Sequence, residues 1–252
     1  MPEASRKFKT FIIHLQRAKG RKAQVGDLTD KSPFDVEIVD AVDGALLSDN
    51  EIKTCYTDAP FLEPTYPFGL NAGEIGCFLS HRRAWQKIVD QDLAAGLVFE
   101  DDVYVEPEVF NAALEAARTW TERFGFIQFQ VRSAASDSLE VARGQGCKLL
   151  CPVPSLLRTS AQLVSHAAAK RLLDVTQTFD RPVDGLLQMH WITGVQPVCV
   201  SPSGVFDRTQ ETGGSTLSVK QPLVKKLGRE LKRACYKAQI RKYSRRNAGK
   251  IK

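Results

Sequence analysis

Short apolar runs alternate along the chain with longer segments in which apolar residues recur every three or four positions. The apolar runs predict β-strands at 8–15, 34–39, 97–99, 126–131, 160–165 and 195–200, with two more short strands around 144–146. The periodic segments predict helices at 71–93, 107–123, 167–176 and 183–191. This alternation is typical of an α/β fold with a mostly parallel sheet and helices on both of its faces.

The strongest periodic segment begins with a helix-start signal. Asn71 is placed to cap the first turn, and Glu74 follows three residues later, as in a capping box. The apolar face of this helix consists of Ile75, Phe78, Leu79, Ala84, Trp85, Ile88 and Val89. Before it, residues 57–69 are rich in proline and aromatic residues and have no period, which predicts an ordered loop that lies over a site.

The end of the chain differs in charge from the rest. Residues 217–252 hold 13 of the 35 basic residues but one of the 29 acidic residues, so we predict a folded domain at 1–216 and a basic tail at 217–252. Helical spacing predicts an amphipathic helix in the tail, with an apolar face of Leu223, Leu227, Leu231, Ala234, Cys235 and Ala238. Such a helix favours an anionic membrane surface. The alternatives are a disordered solubilising tail and a nucleic-acid contact, and no nucleic-acid partner is expected.

The chain is expected in the cytoplasm, peripheral to the inner face of the cell membrane. No run approaches the ~20 apolar residues of a membrane-spanning helix, and the apolar residues 11–13 are too few for a signal-peptide core. Six cysteines without an export signal are then expected as reduced thiols. Cys147 and Cys151 predict a β-hairpin with buried thiols in preference to a metal site.

Three adjacent carboxylates, Glu100, Asp101 and Asp102, directly follow the most apolar predicted strand. Ligands of open α/β sheets bind beyond the carboxyl ends of the strands, where this triplet stands. Adjacent carboxylates repel one another, and they suit a hard divalent ion such as Mg²⁺ or Mn²⁺. A solvated acidic turn explains the triplet equally well on these grounds alone.

The order of motifs resembles glycosyltransferase family 25, whose members include lipooligosaccharide galactosyltransferases. The resemblance lies in the block Gly73–His81, in Ala84-Trp85, and in the triplet fifteen residues after Trp85. Weaker matches follow the same order at Arg17, Arg21, 40–44, 168–173, 182–184 and Pro197, so that the resemblance covers roughly residues 8–216. The chain departs from the family at His14, where asparagine is usual, and near Gln162-Leu163, where an aromatic residue is expected.

The resemblance implies a GT-A type, Rossmann-like fold, a UDP-sugar donor, Mn²⁺ or Mg²⁺, and inversion at the anomeric carbon. It implies that Asp102 is the leading metal ligand, and that Glu100 and Asp101 bind ribose or metal-bound water, with Glu100 also a candidate ligand. A metal held there would stabilise the negative charge of the departing diphosphate.

Several other residues are candidates for the site, each with a structural alternative. Asp184 is the candidate base for the acceptor hydroxyl, or a carboxylate that complements a helix dipole. His190 is a candidate nitrogen ligand of the metal, or a packed ring beside Trp191. The remaining candidates for nucleotide-sugar binding are Arg17, Arg21, Val42, Asp43, Ser80 and His81. A buried histidine bonded to the backbone and ordinary surface arginines are the alternatives.

The leading hypothesis is the transfer of a hexose, with galactose expected, from a UDP-sugar to a lipid-linked or lipooligosaccharide-type saccharide. A metal-dependent phosphohydrolase would use the same triplet but needs further ligands. A non-enzymatic polyanion-binding module would use the basic tail alone.

Overall fold

A mixed sheet of eight strands forms the centre of the computed structural model, which describes residues 7–131, 138–208 and 223–248, with side chains of the last segment from 228 onward. The strands are β1 (Phe8–His14), β2 (Val36–Asp40), β3 (Ala95–Glu100), β4 (Val103–Val105), β5 (Phe126–Phe129), β6 (Leu139–Gly144), β7 (Cys147–Cys151), β8 (Ala161–Ser165), β9 (Val198–Ser201) and β10 (Val205–Asp207). Their order in the large sheet is β2-β1-β3-β8-β5-β9-β7-β6, and β4 pairs with β10 separately. Strands β7 and β8 run antiparallel to the other six strands, which all point in one direction. The prediction that most strands of the sheet share one direction is therefore confirmed.

Helices cover both faces of this sheet, as predicted. They are α1 (Lys22–Lys31), α2 (Asp49–Cys55), α3 (Ala72–Asp90), α4 (Pro107–Phe124), α5 (His166–Val175), α6 (Val183–Leu187), α7 (His190–Thr193) and α8 (Leu223–Asn247). Apolar residues of α1 and α4 pack on one face, and those of α3, α5 and α6 pack on the other. The single helix predicted at 183–191 is wrong, because two short helices occupy this segment. Among the described residues, no helix has the length and apolar character needed to span a membrane.

Two glycines bring the start of α3 against the loop after β2. A Cβ on Gly76 would lie 2.5 Å from Val42 O and 2.8 Å from Gly44 N, and a Cβ on Gly44 would lie 1.7 Å from Ala72 O. Ser80 Oγ accepts the Val42 N–H at 2.8 Å one turn further along the helix. The predicted capping box is confirmed, since Asn71 and Glu74 bond each other's backbone N–H groups. Cap and glycines together fix α3 against the carboxyl end of the sheet.

The predicted hairpin around Gly146 is confirmed. Strands β6 and β7 pair antiparallel, and Gln145 and Gly146 between them have φ angles of 51° and 75°. Positive φ at both central residues matches the right-handed twist of the strands. Cys147 is buried and Cys151 is half-buried, and both thiols are free.

Helix α8 lies on the domain rather than apart from it. Its contacting face includes Ile240 and Ser244, which are buried, and Tyr243, whose ring centroid is 5.7 Å from that of Trp191. Of the residues predicted to form its apolar face, Ala234, Cys235 and Ala238 are exposed, and Leu231 is 68% exposed. Helical spacing identified the helix, but the face that packs on the domain is a different one. The predicted boundary at 216/217 lies outside the described residues.

The loop at 57–69 is ordered around one buried arginine. Arg181 donates to Leu62 O at 2.9 Å and to Pro64 O at 3.1 Å, and its guanidinium pairs with Asp180. The same group donates to the Tyr236 hydroxyl of α8 at 2.9 Å. Arg181 therefore joins the loop, the start of α6 and the C-terminal helix at one point.

Candidate active site

The end of β3 presents Glu100 to the helix α3. Glu100 Oε1 accepts a hydrogen bond from His81 Nε2 at 3.0 Å and another from Thr159 Oγ1 at 2.7 Å. Gln162 Nε2 lies 2.9 Å from the other ring nitrogen of His81. A carboxylate only accepts hydrogen bonds, so the Nε2 of His81 carries a proton. His81 is thus buried, as in the structural alternative, but it bonds to side chains rather than to the backbone. Its contact with Glu100 orients that carboxylate.

The chain turns after Glu100, and this turn sends the next carboxylate in another direction. Asp101 is 4% exposed, and its two oxygens lie 2.6 Å from His14 Nδ1 and 2.6 Å from Arg21 Nη1. Both oxygens of Asp101 already have protein donors. The unusual His14 therefore has a specific partner in this chain, and Arg21, a candidate for nucleotide-sugar binding, is held against the triplet.

Asp102 shares Arg21 with its neighbour, at 3.4 Å from Nη1 to Oδ2. Burial raises the pKa of Asp102 to about 6, and the charge of Glu100 adds to this rise while Arg21 opposes it. Burial would also raise the pKa of Glu100, but the hydrogen bonds from His81 and Thr159 outweigh it and lower that pKa. The triplet thus concentrates more negative charge than Arg21 balances, which is the electrostatic condition for binding a cation.

Glu100, Asp101, Asp102 and Arg21 form a cluster that we call the acidic corner. The ligand atoms available in the acidic corner favour a hard cation. Cys77, His81 and Glu100 form a group whose possible ligand atoms lie within 4.8 Å of one another. Burial raises the pKa of the Cys77 thiol well above its usual value, so this sulfur is a poor ligand. Carboxylate oxygens of Glu100 and Asp102 remain, and oxygen ligands suit Mg²⁺ or Mn²⁺.

Asp184 stands at the start of α6 with both carboxylate oxygens held by the backbone. Oδ1 accepts the Gly185 N–H at 2.7 Å, and Oδ2 accepts the Arg158 N–H at 3.1 Å. Burial raises the pKa of Asp184, and the charge of Glu100 raises it further against the two N–H bonds. The charge of Glu100 thus acts on Asp184, although the two residues are far apart in sequence.

A cavity of about 980 Å³ opens beside Asp184. The loop before β8, the segment around α6, the aromatic residues Tyr66 and Phe68, and one side of α8 form its walls. Residues 57–69 were predicted to lie over a site, and Tyr66 and Phe68 of this loop line the cavity. Asp184 is the acidic residue of this cavity among the described residues.

The other predicted donor-binding residues contact one another. Arg17 Nε lies 2.5 Å from Asp43 Oδ2, and this pairing is the main reason that the pKa of Asp43 is lowered. Asp43 also accepts the Ala45 N–H at 3.1 Å. Val42 and Ser80 bond to each other as described above. These four residues shape the loop after β2, and Arg17 is the most exposed of them.

The structure does not bring His190 into the acidic corner. Its ring is 1% exposed and lies at 83° to the Trp191 ring. Burial lowers its pKa, which keeps the ring neutral. The grouping of possible ligands among the described residues contains His81 and not His190. The alternative of a packed ring therefore describes His190 better.

Sequence reasoning missed four residues of this site: Arg158, Thr159, Gln162 and Arg181. Arg158 and Thr159 bond Asp184 and Glu100 from a loop without any recognisable pattern. Gln162 stands where an aromatic residue was expected and bonds to His81 instead. Arg181 directly precedes the Pro182-Val183-Asp184 motif, and this position was the available signal.

Comparisons with known proteins identify the family of this chain. The family described as "Glycosyltransferase family 25 (LPS biosynthesis protein)" matches residues 7–187. Human "Procollagen galactosyltransferase 2" is 37% identical over 98 residues, which are 38% of this chain and 16% of that protein. "Probable inactive glycosyltransferase 25 family member 3" of Bos taurus is 35% identical over 183 residues, which are 70% of this chain and 30% of that protein.

The match thus spans less than a third of the length of either relative. The family match nevertheless covers residues 7–187, which are most of this chain and include Glu100–Asp102 and Asp184. The chain belongs to glycosyltransferase family 25.

Proposed function

We propose that the protein transfers a hexose from a UDP-sugar to a saccharide acceptor with inversion at the anomeric carbon, and that this hexose is galactose. The observation that carries this proposal is the position of Asp184. This carboxylate is half-buried, is held by two backbone N–H groups, and lines a large cavity, while the acidic triplet forms a separate centre outside that cavity. A single base at the acceptor and a separate centre for the leaving group are what a direct displacement needs.

The acidic corner is proposed as the donor site of a GT-A type fold. Glu100 and Asp102 would hold Mn²⁺ or Mg²⁺, because their oxygens and the charge excess at Asp102 fit a hard cation. Such an ion, when bound, offsets the charge that develops on the departing diphosphate. Arg21 supplies a fixed positive charge at the same place, and Asp101 and His14 keep Arg21 and the turn in position.

At the other side of the site, Asp184 takes the proton of the attacking hydroxyl. Its raised pKa makes it a stronger base than an ordinary aspartate. The N–H groups of Arg158 and Gly185 fix the carboxylate so that it is oriented before the acceptor arrives. The relatives named procollagen galactosyltransferase support galactose as the hexose, and the family description supports a lipopolysaccharide-type acceptor.

The proposed location is the inner face of the cell membrane, where a lipid-linked acceptor is met. Helix α8 supports this part of the proposal, since its outward side carries the exposed Leu231 and Cys235 next to exposed basic residues such as Lys232. Apolar and basic groups on one exposed surface favour anionic lipid.

The test begins with donor binding, because the bovine relative is named as inactive. Melting curves with UDP and Mn²⁺ together should show stabilisation that neither gives alone, since a ligand of the folded state raises stability by mass action. Asp102→Asn should lose the Mn²⁺-dependent part, and Asp174→Asn, an exposed carboxylate on α5, should keep it.

A screen of UDP-sugars with saccharide acceptors then measures transfer. We expect UDP-galactose to be used and the product to be inverted. No stabilisation by UDP with Mn²⁺, and no transfer from any UDP-sugar, would refute the proposal. Release of phosphate without an acceptor would indicate the phosphohydrolase instead.

A further inference from the structure

One wall of the cavity beside Asp184 carries a stripe of positive charge. Arg233, Lys237, Arg241 and Arg245 of α8 line the cavity. Residues four apart on a helix lie on one side of it, so these four groups form a continuous row. We call this row the α8 stripe.

Most of the α8 stripe has no counter-charge in the described part of the protein. Arg233 pairs with Glu230 of its own helix. Lys237, Arg241 and Arg245 form no ion pair with a described residue, and Asp184 is the cavity's acidic residue among those described. Like charges placed in a row repel one another, and a concave surface lined by one sign of charge concentrates ions of the opposite sign. The α8 stripe therefore favours an anionic occupant.

This occupant is distinct from the leaving diphosphate. None of Glu100, Asp101, Asp102 and Arg21 is among the described residues that line the cavity. The stripe instead shares the cavity with Asp184 and with the rings of Tyr66, Phe68 and Tyr236. Aromatic walls with a few convergent polar groups are usual for small-molecule sites. The anion thus belongs to the molecule that meets Asp184.

We propose that the acceptor saccharide carries a phosphate or carboxylate group, and that Lys237, Arg241 and Arg245 bind this group while the attacking hydroxyl lies at Asp184. This assignment rests on the proposed function, because it takes Asp184 as the base. Charge-assisted hydrogen bonds from Lys and Arg hold phosphate and carboxylate more strongly than neutral groups do. The stripe selects among acceptors, and the acidic corner selects the donor.

The test compares binding of glucose 6-phosphate, glucuronic acid and glucose to the full chain by isothermal titration calorimetry. The two anionic sugars should bind about tenfold more tightly than glucose, and added salt should reduce this preference. Lys237→Ala with Arg241→Ala should abolish the preference. Lys242→Ala with Arg246→Ala removes the same two residue types from exposed positions of the same helix that do not line the cavity, and it should keep the preference.

Equal loss in both double variants would overturn the proposal, because it would show a general field of the basic helix. The same follows if the wild-type protein binds all three sugars alike. Circular dichroism of each variant separates loss of the site from loss of the fold, and Arg241→Gln provides a milder change at one position.

Two further measurements are needed. The first distinguishes a lipid headgroup from an anionic sugar as the ligand of the α8 stripe, and the second distinguishes failure of this proposal from failure of the proposed transferase function. We call the double variant Lys237→Ala with Arg241→Ala the cavity variant. If the cavity variant loses binding to phosphatidylglycerol vesicles but keeps its preference for glucose 6-phosphate, the stripe contacts lipid headgroups and the proposal is wrong. Stabilisation by UDP with Mn²⁺ should be unchanged in the cavity variant. If UDP with Mn²⁺ does not stabilise the wild-type protein, this result counts against the transferase. If that stabilisation is present but the wild-type protein shows no preference for anionic sugars, only the proposal for the α8 stripe is wrong.

Discussion

Gly76 of α3 lies so close to Gly44 that a Cβ on Gly76 would stand 2.8 Å from the backbone nitrogen of Gly44. The same Cβ would lie 2.5 Å from Val42 O. Real Cβ atoms do not approach backbone atoms so closely, so the loop after β2 would have to move. The two glycines let the loop that carries Asp43 pack directly on the helix that carries His81.

Gly76→Ala is therefore expected to destabilise the protein by roughly 1–3 kcal/mol and to weaken UDP binding. The measurements are urea unfolding and melting with UDP and Mn²⁺. Gly26→Ala is the matched control, because Gly26 also lies within a helix but a Cβ there meets no atom within 4 Å. Alanine is a better helix former than glycine, so the control should be neutral or slightly stabilising. Equal behaviour of the two variants would contradict the tight contact.

Glu37 on β2 gives the protein a pH-dependent contribution to stability. Burial alone would raise the pKa of Glu37, but hydrogen bonds from Lys87, Lys9 and Gln91 outweigh burial and lower it from 4.5 to about 2. An acid whose pKa is lowered by folding stabilises the folded state above its unfolded pKa, and this stabilisation is lost as the pH falls through the folded pKa.

Glu37→Gln should therefore reduce stability at neutral pH and flatten the loss of stability between pH 4.5 and 2. Glu37 is partly exposed, so we expect an effect on the order of 1 kcal/mol at neutral pH. Urea unfolding at a series of pH values measures it. Glu115→Gln, which removes an exposed pair with Arg118 within α4, is the control and should change little. Parallel pH curves for wild type and Glu37→Gln would show that Glu37 contributes nothing.

Local signals in the sequence were sufficient for the elements that begin or end at a clear chemical boundary. The capping box at Asn71 fixed the start of α3, and the apolar run before Glu100 fixed β3 and the place of the triplet. The turn at Gly146 fixed the hairpin. A second capping box, formed by Ser48 and Glu51, starts α2, and its Ser-x-x-Glu spacing is visible in the sequence.

The contacts that complete the site could not be predicted, because they join residues far apart in the chain. Asp101 receives its donors from positions 80 and 87 residues away. A buried arginine such as Arg181 has the sequence appearance of a surface residue. The packing face of α8 depends on Trp191 and Arg181, and helical periodicity within the tail contains no information about either.

Arg181→Met tests the junction between the loop at 57–69 and α8. Removing one partner of a buried ion pair leaves Asp180 uncompensated, and the carbonyls of Leu62 and Pro64 lose their donor. We expect a loss of roughly 3–5 kcal/mol in the free energy of unfolding. Tyr236→Phe removes a single hydrogen bond of the same arginine and should cost about 1 kcal/mol.

Limited proteolysis distinguishes local release of α8 from general unfolding. In Arg181→Met, cleavage within 223–248 should become faster before the domain is cut, and in Tyr236→Phe it should increase only slightly. If α8 were as protected in Arg181→Met as in the wild-type protein, Arg181 would not be what holds the helix on the domain.

Asp184→Asn separates chemistry from donor binding. The amide cannot accept a proton from the acceptor hydroxyl, so transfer should fall by about 10² to 10⁴-fold while stabilisation by UDP with Mn²⁺ persists. Because burial raises the pKa of Asp184, the acidic limb of the wild-type pH–rate profile should lie above the ordinary value of 3.8. Activity rises through this limb as the carboxylate loses its proton, and Asp184→Asn should remove the limb from any residual activity. Asp174→Asn should leave both the rate and the profile unchanged, and an Asp184→Asn enzyme with wild-type turnover would assign the base to another residue.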